Sequence, residues 1–203
     1  LHRVDRRQRQ MCIRDRRPLV YASFGTMQGH RLDLFRPVAA ACKTLGLRLV
    51  VAHCGGLDAA QAASIDAEIV TDYVDQRAML RQATICVTHG GLNTALDAIE
   101  AGVPMLVLPM AFDQPGVAAR VVHHGIGLAL PPRKANRQRV EAALLQLMAD
   151  PGFARNAVRV GRGIETSGGA AEAARLAEVL CGGQPLRICL LYTSPSPRDV
   201  EES

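Results

Sequence analysis

Between Leu19 and Leu130 short apolar runs alternate with stretches whose apolar residues recur at helical spacing, the pattern of β-α-β units that build a parallel sheet. The apolar runs predict strands near residues 19–23, 47–52, 68–71, 85–88, 105–108 and 127–130. Between them the spacing predicts helices near 32–45, 76–83, 92–101 and 114–124. Three more helices follow without strands, near 136–149, 151–165 and 169–180. Breakers fall where this scheme needs them: Gly46 and Gly102 each end a helix, Asp150-Pro151-Gly152 separates two, and Ser167-Gly168-Gly169 precedes the last. The Ala/Gly-rich stretch 54–66 carries no clear period. One doubly wound, Rossmann-like α/β domain with a parallel sheet is expected over residues 17–188, binding its ligand beyond the carboxyl ends of the strands.

The termini break this pattern. Arg6 to Arg16, R-R-Q-R-Q-M-C-I-R-D-R, reads as a translated sequencing-library adapter, and Cys189 to Asp199, C-L-L-Y-T-S-P-S-P-R-D, as the same adapter read from the other strand. Residues 1–16 and 189–203 are therefore expected to be translated scars rather than folded protein. Such compositions otherwise suggest a basic arm for nucleic acid and a Ser/Pro tail. These ends hold seven Arg and five acids; the remaining residues carry 17 basic and 14 acidic side chains, and the net charge falls from +5 to +3. No nucleic-acid partner follows from so small an excess. Cys42, Cys54, Cys86 and Cys181 lie between the ends without C-x-x-C or metal-ligand spacing, and are expected as reduced thiols, three of them buried. No apolar run approaches the roughly 20 residues that span a bilayer. A cytoplasmic protein is expected, with peripheral contact at the inner membrane surface left open through the basic cluster from Arg133 to Arg139.

Candidate chemistry concentrates between Val87 and Gln114, V-T-H-G-G-L-N-T-A-L-D-A-I-E-A-G-V-P-M-L-V-L-P-M-A-F-D-Q. A strand ends in Thr88-His89-Gly90-Gly91 and an apolar-periodic helix (Leu92, Leu96, Ile99) starts there. Free backbone N–H groups and the positive helix end therefore face whatever lies above the strand, a place that suits a diphosphate. Gly90 and Gly91 let the backbone approach closely, since a Cβ would stand between the amides and the oxygens. The dinucleotide fingerprint G-x-G-x-x-G and the P-loop pattern are absent.

This run resembles the signature of the UDP-dependent glycosyltransferases, and its continuation F-D-Q-P-G-V-A-A-R-V-V-H-H-G-I-G (Phe112 to Gly127) is similar to the bacterial zeaxanthin glucosyltransferases. The resemblance covers roughly residues 18–180 and implies the C-terminal half of a GT-B fold. It implies that His89 contacts and stabilises the leaving diphosphate, the catalytic role on this side, and that Asn93 and Thr94 contact phosphate. Asp97 stands where the family usually has Glu to accept both ribose hydroxyls, one methylene shorter, roughly 1.5 Å of lost reach. Glu100, three residues on, could share that work or be a solvated helix charge.

Asp113 and Gln114 match the pair that binds the sugar's hydroxyls, although Asp before Gln-Pro is equally a helix N-cap. Tyr73-Val74-Asp75-Gln76 fills the slot where the family places an aromatic, then Pro, then Gln; Tyr73 would stack on uracil, or be a half-buried core tyrosine. Val74 would offer backbone groups to the base, and Gln76 completes the motif. Ser23-Phe24-Gly25-Thr26 resembles the family's first loop, in which Ser23, Gly25 and Thr26 reach the phosphates. His30, His53, His123 and His124 carry no metal-ligand spacing.

The resemblance implies transfer of a hexose, glucose by expectation, from a UDP-sugar to a hydroxyl of a lipophilic acceptor such as zeaxanthin, with inversion. UDP-glucose is expected as substrate, with no cofactor and no metal. The general base and most of the acceptor pocket belong in such enzymes to an N-terminal domain, so the 203-residue chain alone is expected to bind the sugar donor without transferring it. Macrolide- or sterol-type glycosyltransferases, and a nucleotide-sugar-binding module without catalysis, are the alternatives.

Overall fold

The computed structural model describes residues 17–182; the expected scars, 1–16 and 189–203, lie outside the described residues. Six strands, β1 (Leu19–Ser23), β2 (Arg48–Ala52), β3 (Ile69–Thr71), β4 (Ile85–Thr88), β5 (Met105–Val107) and β6 (Gly127–Ala129), form one sheet in the order 3-2-1-4-5-6. Every pairing is parallel, with Ser23 opposite both Ala52 and Thr88, so all carboxyl ends lie along one edge. The connections are α1 (Gly25–Gln28), α2 (Leu32–Thr44), α3 (Ala59–Ala63), α4 (Gln76–Leu80), α5 (Leu92–Glu100) and α6 (Gln114–His123). After a 3₁₀ turn at Pro132–Lys134 come α7 (Arg137–Ala149), α8 (Gly152–Glu165) and α9 (Gly169–Leu180). The chain divides into two compact units, residues 1–162 and 163–203; sheet and site belong to the first, and α9 to the second.

Strand alternation explains the two layers. Val20, Ala22, Leu49, Val51, Ile85, Val87 and Leu106 point to one face, where Leu34, Phe35 and Val38 of α2 and Val140, Leu144 and Leu147 of α7 cover them. Leu19, Tyr21, Val50, Cys86, Met105 and Val107 point to the other, under Ala95, Ala98 and Ile99 of α5 and Val117, Ala118 and Val121 of α6. Because both faces are covered, the strands read as unbroken apolar runs rather than as alternating ones. Phe24 packs on Phe35 with ring centroids 4.5 Å apart, anchoring the end of β1 to α2. Truncating so buried a ring as Phe35 to Ala would cost about 3–5 kcal/mol.

Two short helices lie outside the pattern-based expectations. α1 is four residues long and buries none of them. α3 sits in the stretch without a period, held by a capping box in which Asp58 accepts from the Gln61 N–H and Gln61 accepts from the Asp58 N–H. The cysteine expectation needs correcting. Cys42 and Cys86 are buried, each thiol pushed up to about 12 by burial, but Cys54 is half-buried and Cys181 exposed. Cys54 takes a left-handed conformation, φ 53°, in the turn after β2, which lifts its side chain out of the core.

Candidate functional site

The strand order reverses between β1 and β4, and at such a reversal in a doubly wound sheet the loops after the two strands part and open a crevice at the carboxyl edge. His89 sits in it, half-buried. Its ring is enclosed by two glycines: a Cβ on Gly25 would lie 2.8 Å from Cε1, and one on Gly91 would lie 2.6 Å from Nε2 and 2.7 Å from Cε1. Gly91 therefore makes room for the imidazole itself, a different reason from the close backbone approach expected of it. Gly90 is required twice over, by φ +88° and by Val107 Cγ1 only 2.8 Å from where its Cβ would be. Burial lowers the basicity of His89, while the Asp113 carboxylate and a hydrogen bond with the Ser23 backbone act the other way. The net direction is downward, so the ring is neutral at pH 7.

Gly91 caps α5 without a side chain, and the Leu92, Asn93 and Thr94 amides have no hydrogen-bond partner among the described residues. Three donors and the helix's positive end thus converge beside His89, the arrangement that holds an anion. The Asn93 side chain is exposed there. Thr94 is placed less freely than expected, since its hydroxyl donates to Gln76 Oε1 at 3.2 Å. Across the crevice Thr26 is exposed, but the Ser23 hydroxyl is buried: it accepts from the Gly25 N–H at 3.4 Å and lies 4.0 Å from Cys54 Sγ. Ser23 thus shapes the loop from beneath, and Gly25, at φ +69°, turns it over His89.

A second group forms on the β3 side. Asp97 is engaged on both oxygens, Oδ2 by Gln76 Nε2 at 2.7 Å and Oδ1 by Arg77 Nε at 2.9 Å. Gln76 Oε1 also receives the phenol of buried Tyr21 at 3.5 Å. Asp75, standing where a proline was expected by resemblance, caps α4 by accepting from the Ala78 N–H at 3.0 Å. Tyr73 is 67% exposed, with its hydroxyl on the Cys54 carbonyl at 3.3 Å, so it is not the core residue its alternative reading required. Val74 is half-buried against the core.

On the β5 side Gln114 is buried, and its Oε1 accepts from the Met110 and Ala111 N–H groups at 2.8 and 2.9 Å. Its Nε2 has no hydrogen-bond partner among the described residues. Asp113 stands at the start of α6 with helical φ and ψ and makes no side-chain cap, which corrects the N-cap alternative. Phe112 next to it is 73% exposed with φ 56°.

Residues 49–179 match the family model "Erythromycin biosynthesis protein CIII-like, C-terminal domain". The chain belongs to this family. It is 41% identical over 179 residues to the zeaxanthin glucosyltransferase of Pantoea ananas, covering 84% of this chain and 40% of that protein. The zeaxanthin glucosyltransferase of Pseudescherichia vulneris is also 41% identical, over 82% of this chain and 41% of that one. Among solved structures, the glycotransferase of kitacinnamycin matches with TM-score 0.72 and 30% identity, over 79% of this chain and 42% of its own. The calicheamicin glycosyltransferase matches with TM-score 0.71 and 29% identity, over 82% and 44%. The chain spans about two fifths of the length of the relatives it matches.

In this glycosyltransferase C-terminal domain the edge thus gathers His89, Gly90, Gly91, Asn93 and Thr94 at the switch point, with Gly25 and Thr26 opposite. Tyr73, Val74, Gln76 and Asp97 lie to one side, Asp113 and Gln114 to the other. Arg77 was missed by sequence reasoning. Its only signal was a cation directly after Gln76, which does not reveal a contact with a residue 20 positions on. The buried His53, placed among the ordinary histidines, accepts from the Leu57 N–H on Nδ1 at 3.2 Å and lies 3.2 Å from Asp72 on Nε2, fixing the turn that meets Tyr73. Cavities of about 580 and 420 Å³ lie at the opposite, amino edge of the sheet, lined in part by Arg48 and Glu68 and by Thr84 and Pro104. Neither touches these residues.

Proposed function

We propose that this chain is the sugar-donor-binding half of a glycosyltransferase that moves a hexose, glucose by preference, from a UDP-sugar to a hydroxyl of a lipophilic acceptor, with zeaxanthin or a related carotenoid as the acceptor. The observation that carries the reading is the enclosed imidazole of His89 beside three unpaired amides at the switch point of the sheet. Its support for the acceptor is the 41% identity to two zeaxanthin glucosyltransferases. The diphosphate lies over the start of α5, the uracil over the exposed face of Tyr73, the ribose hydroxyls toward Asp97, and the hexose toward Asp113 and Gln114 Nε2.

The physical logic is stabilisation of the leaving group. As the bond from the anomeric carbon to the diphosphate breaks, negative charge grows on the phosphate oxygens. His89 and the amides of α5 already point there, so little reorganisation is needed when it does. Enclosure keeps the imidazole in place; neutral, it still offers one N–H to an oxygen. In this reading the growing charge on the diphosphate is carried by His89 and the α5 amides. Deprotonation of the acceptor hydroxyl needs a base within about 3 Å, and we assign it to a preceding domain rather than to Asp113, whose carboxylate serves the sugar hydroxyls as an acceptor. Contact with a membrane surface through the exposed Arg133, Lys134 and Arg139 fits a lipophilic acceptor; no helix among the described residues is long and apolar enough to cross a membrane.

Calorimetry of the chain with UDP and UDP-glucose in the presence of a chelator tests the reading. Binding without divalent metal is expected, with His89→Ala weakening it by roughly 1–3 kcal/mol, the scale of a hydrogen bond to a charged group. Strict dependence on magnesium, or no loss in the variant, would remove the assignment.

A further inference from the structure

The pair formed by Arg77 and Glu100 has no use in that reading. Arg77, the second residue of α4, uses its guanidinium as a bridge: Nε reaches Asp97 Oδ1 at 2.9 Å and Nη2 lies 3.6 Å from Glu100 Oε2. Both acids sit on one face of α5, three residues apart. Arg77 is 64% exposed, whereas the Asp97 carboxylate is only 16% exposed. The two helices are thus tied across a recess of about 90 Å³ that Arg81 and Ala101 complete. Gln76 holds the second Asp97 oxygen and is itself held by Thr94 and Tyr21.

A carboxylate has about four acceptor directions, two on each oxygen. Here one on each oxygen is already filled, by Arg77 on one side and Gln76 on the other. The two that remain are one per oxygen, which is what a pair of vicinal hydroxyls requires. An aspartate pinned on a single oxygen could turn about its side-chain torsions and satisfy one hydroxyl as well as two. With both oxygens pinned, the plane of the carboxylate is fixed. Lysine could not reproduce this, because an ammonium is a point charge without the planar fork that spans two acids.

We propose that Arg77 is a positioning residue for nucleotide choice: by fixing the plane of Asp97 it makes the site select a nucleoside diphosphate with both ribose hydroxyls over its 2′-deoxy counterpart. Arg77 does this without touching the ligand. The inference rests on the reading that Asp97 receives the ribose. Glu100 then has a part as well, holding the free end of the fork.

The test is calorimetry of the 203-residue chain with UDP, 2′-deoxy-UDP and inorganic pyrophosphate. The wild-type chain should bind UDP about tenfold more tightly than 2′-deoxy-UDP, the factor expected when one hydrogen bond to a charged group is lost. Arg77→Ala should weaken UDP about five- to tenfold while changing 2′-deoxy-UDP and pyrophosphate by less than about twofold, so that discrimination collapses. Arg77→Lys should fall between. Arg81→Ala, in the same recess but outside the bridge, should keep the wild-type ratio. A ratio unchanged in Arg77→Ala, or equal weakening of all three ligands, would overturn the proposal. Asp97→Asn separates the two levels: if it abolishes discrimination and Arg77→Ala does not, only Arg77 has been misassigned. If Asp97→Asn leaves both affinities as they were, the ribose lies elsewhere and the proposal falls with that reading.

Discussion

Gly91→Ala is the sharpest probe of the His89 enclosure. Gly91 has φ −61° and ψ 133°, which alanine adopts without strain. The added methyl would nevertheless stand 2.6 Å from His89 Nε2, where ordinary contact begins at 3.4 Å. The ring must retreat by about 0.8 Å, and the way back is limited, because Gly25 already lies against Cε1. An N–H···O distance of about 2.9 Å lengthened by that much leaves hydrogen-bonding range. The loss is that of a hydrogen bond to a charged group, about 1.5–3 kcal/mol, or roughly ten- to hundredfold in affinity for UDP.

A double-mutant cycle decides the cause. UDP affinity is measured by calorimetry for the wild-type chain, Gly91→Ala, His89→Ala and the double variant. If the methyl acts by displacing the imidazole, the double variant binds no more weakly than His89→Ala alone. If the methyl instead blocks the phosphate directly, the two losses add, and the enclosure argument is refuted. Stability serves as the control. Gly91→Ala should lower the melting temperature modestly, because crowding the enclosed imidazole costs about 1–3 kcal/mol, of which alanine's restriction of the unfolded chain offsets about 0.4–1 kcal/mol.

Gln114→Ala should destabilise the chain by about 1–3 kcal/mol, because it leaves the Met110 and Ala111 amides without their acceptor; a thermal melt unchanged from wild type would contradict this. The lowered basicity of His89 gives a pH dependence of definite sign. Between the ordinary value near 6.5 and the lower folded value the unfolded chain binds more protons, so stability falls as pH drops below about 6.5 and is unaffected above it. His89→Gln should lose less melting temperature than wild type between pH 7.5 and 5.5, and equal losses would refute the assignment. Asp97→Ala should weaken UDP but hardly change pyrophosphate binding, and calorimetry showing equal losses for both would move the ribose away from Asp97.

The middle of the sheet was legible in the sequence because β1, β2, β4 and β5 are covered on both faces, so their apolar runs are nearly continuous. The strands at Leu19–Ser23 and Ile85–Thr88 coincide with the expected ranges for this reason. What escaped was set by side chains meeting across the fold. α3 is held by a reciprocal Asp58–Gln61 cap in an alanine-rich stretch with no buried residue of its own, so periodicity could not reveal it. Arg77 gains its meaning only where α4 and α5 lie side by side. Asp113, matched by resemblance to a sugar-binding pair with a helix cap as the alternative, makes no cap, and Gln114 turns its oxygen back to the loop amides of Met110 and Ala111.

A motif pattern assigns Asp113 and Gln114 one shared task, yet the structure gives them unequal ones. Gln114 commits its carbonyl oxygen to the Met110 and Ala111 amides, while Asp113 makes no side-chain cap and its charge acts on His89. A change at Gln114 therefore alters the loop first, whereas a change at Asp113 alters the basicity of His89 and, on the proposed reading, recognition of the sugar with it. Burial, the larger influence on His89, favours the neutral ring, and Asp113 favours the charged one. On the proposed reading, a diphosphate over α5 adds to the second influence, and the carboxylate that receives the hexose is the same one that opposes the effect of burial on the His89 imidazole.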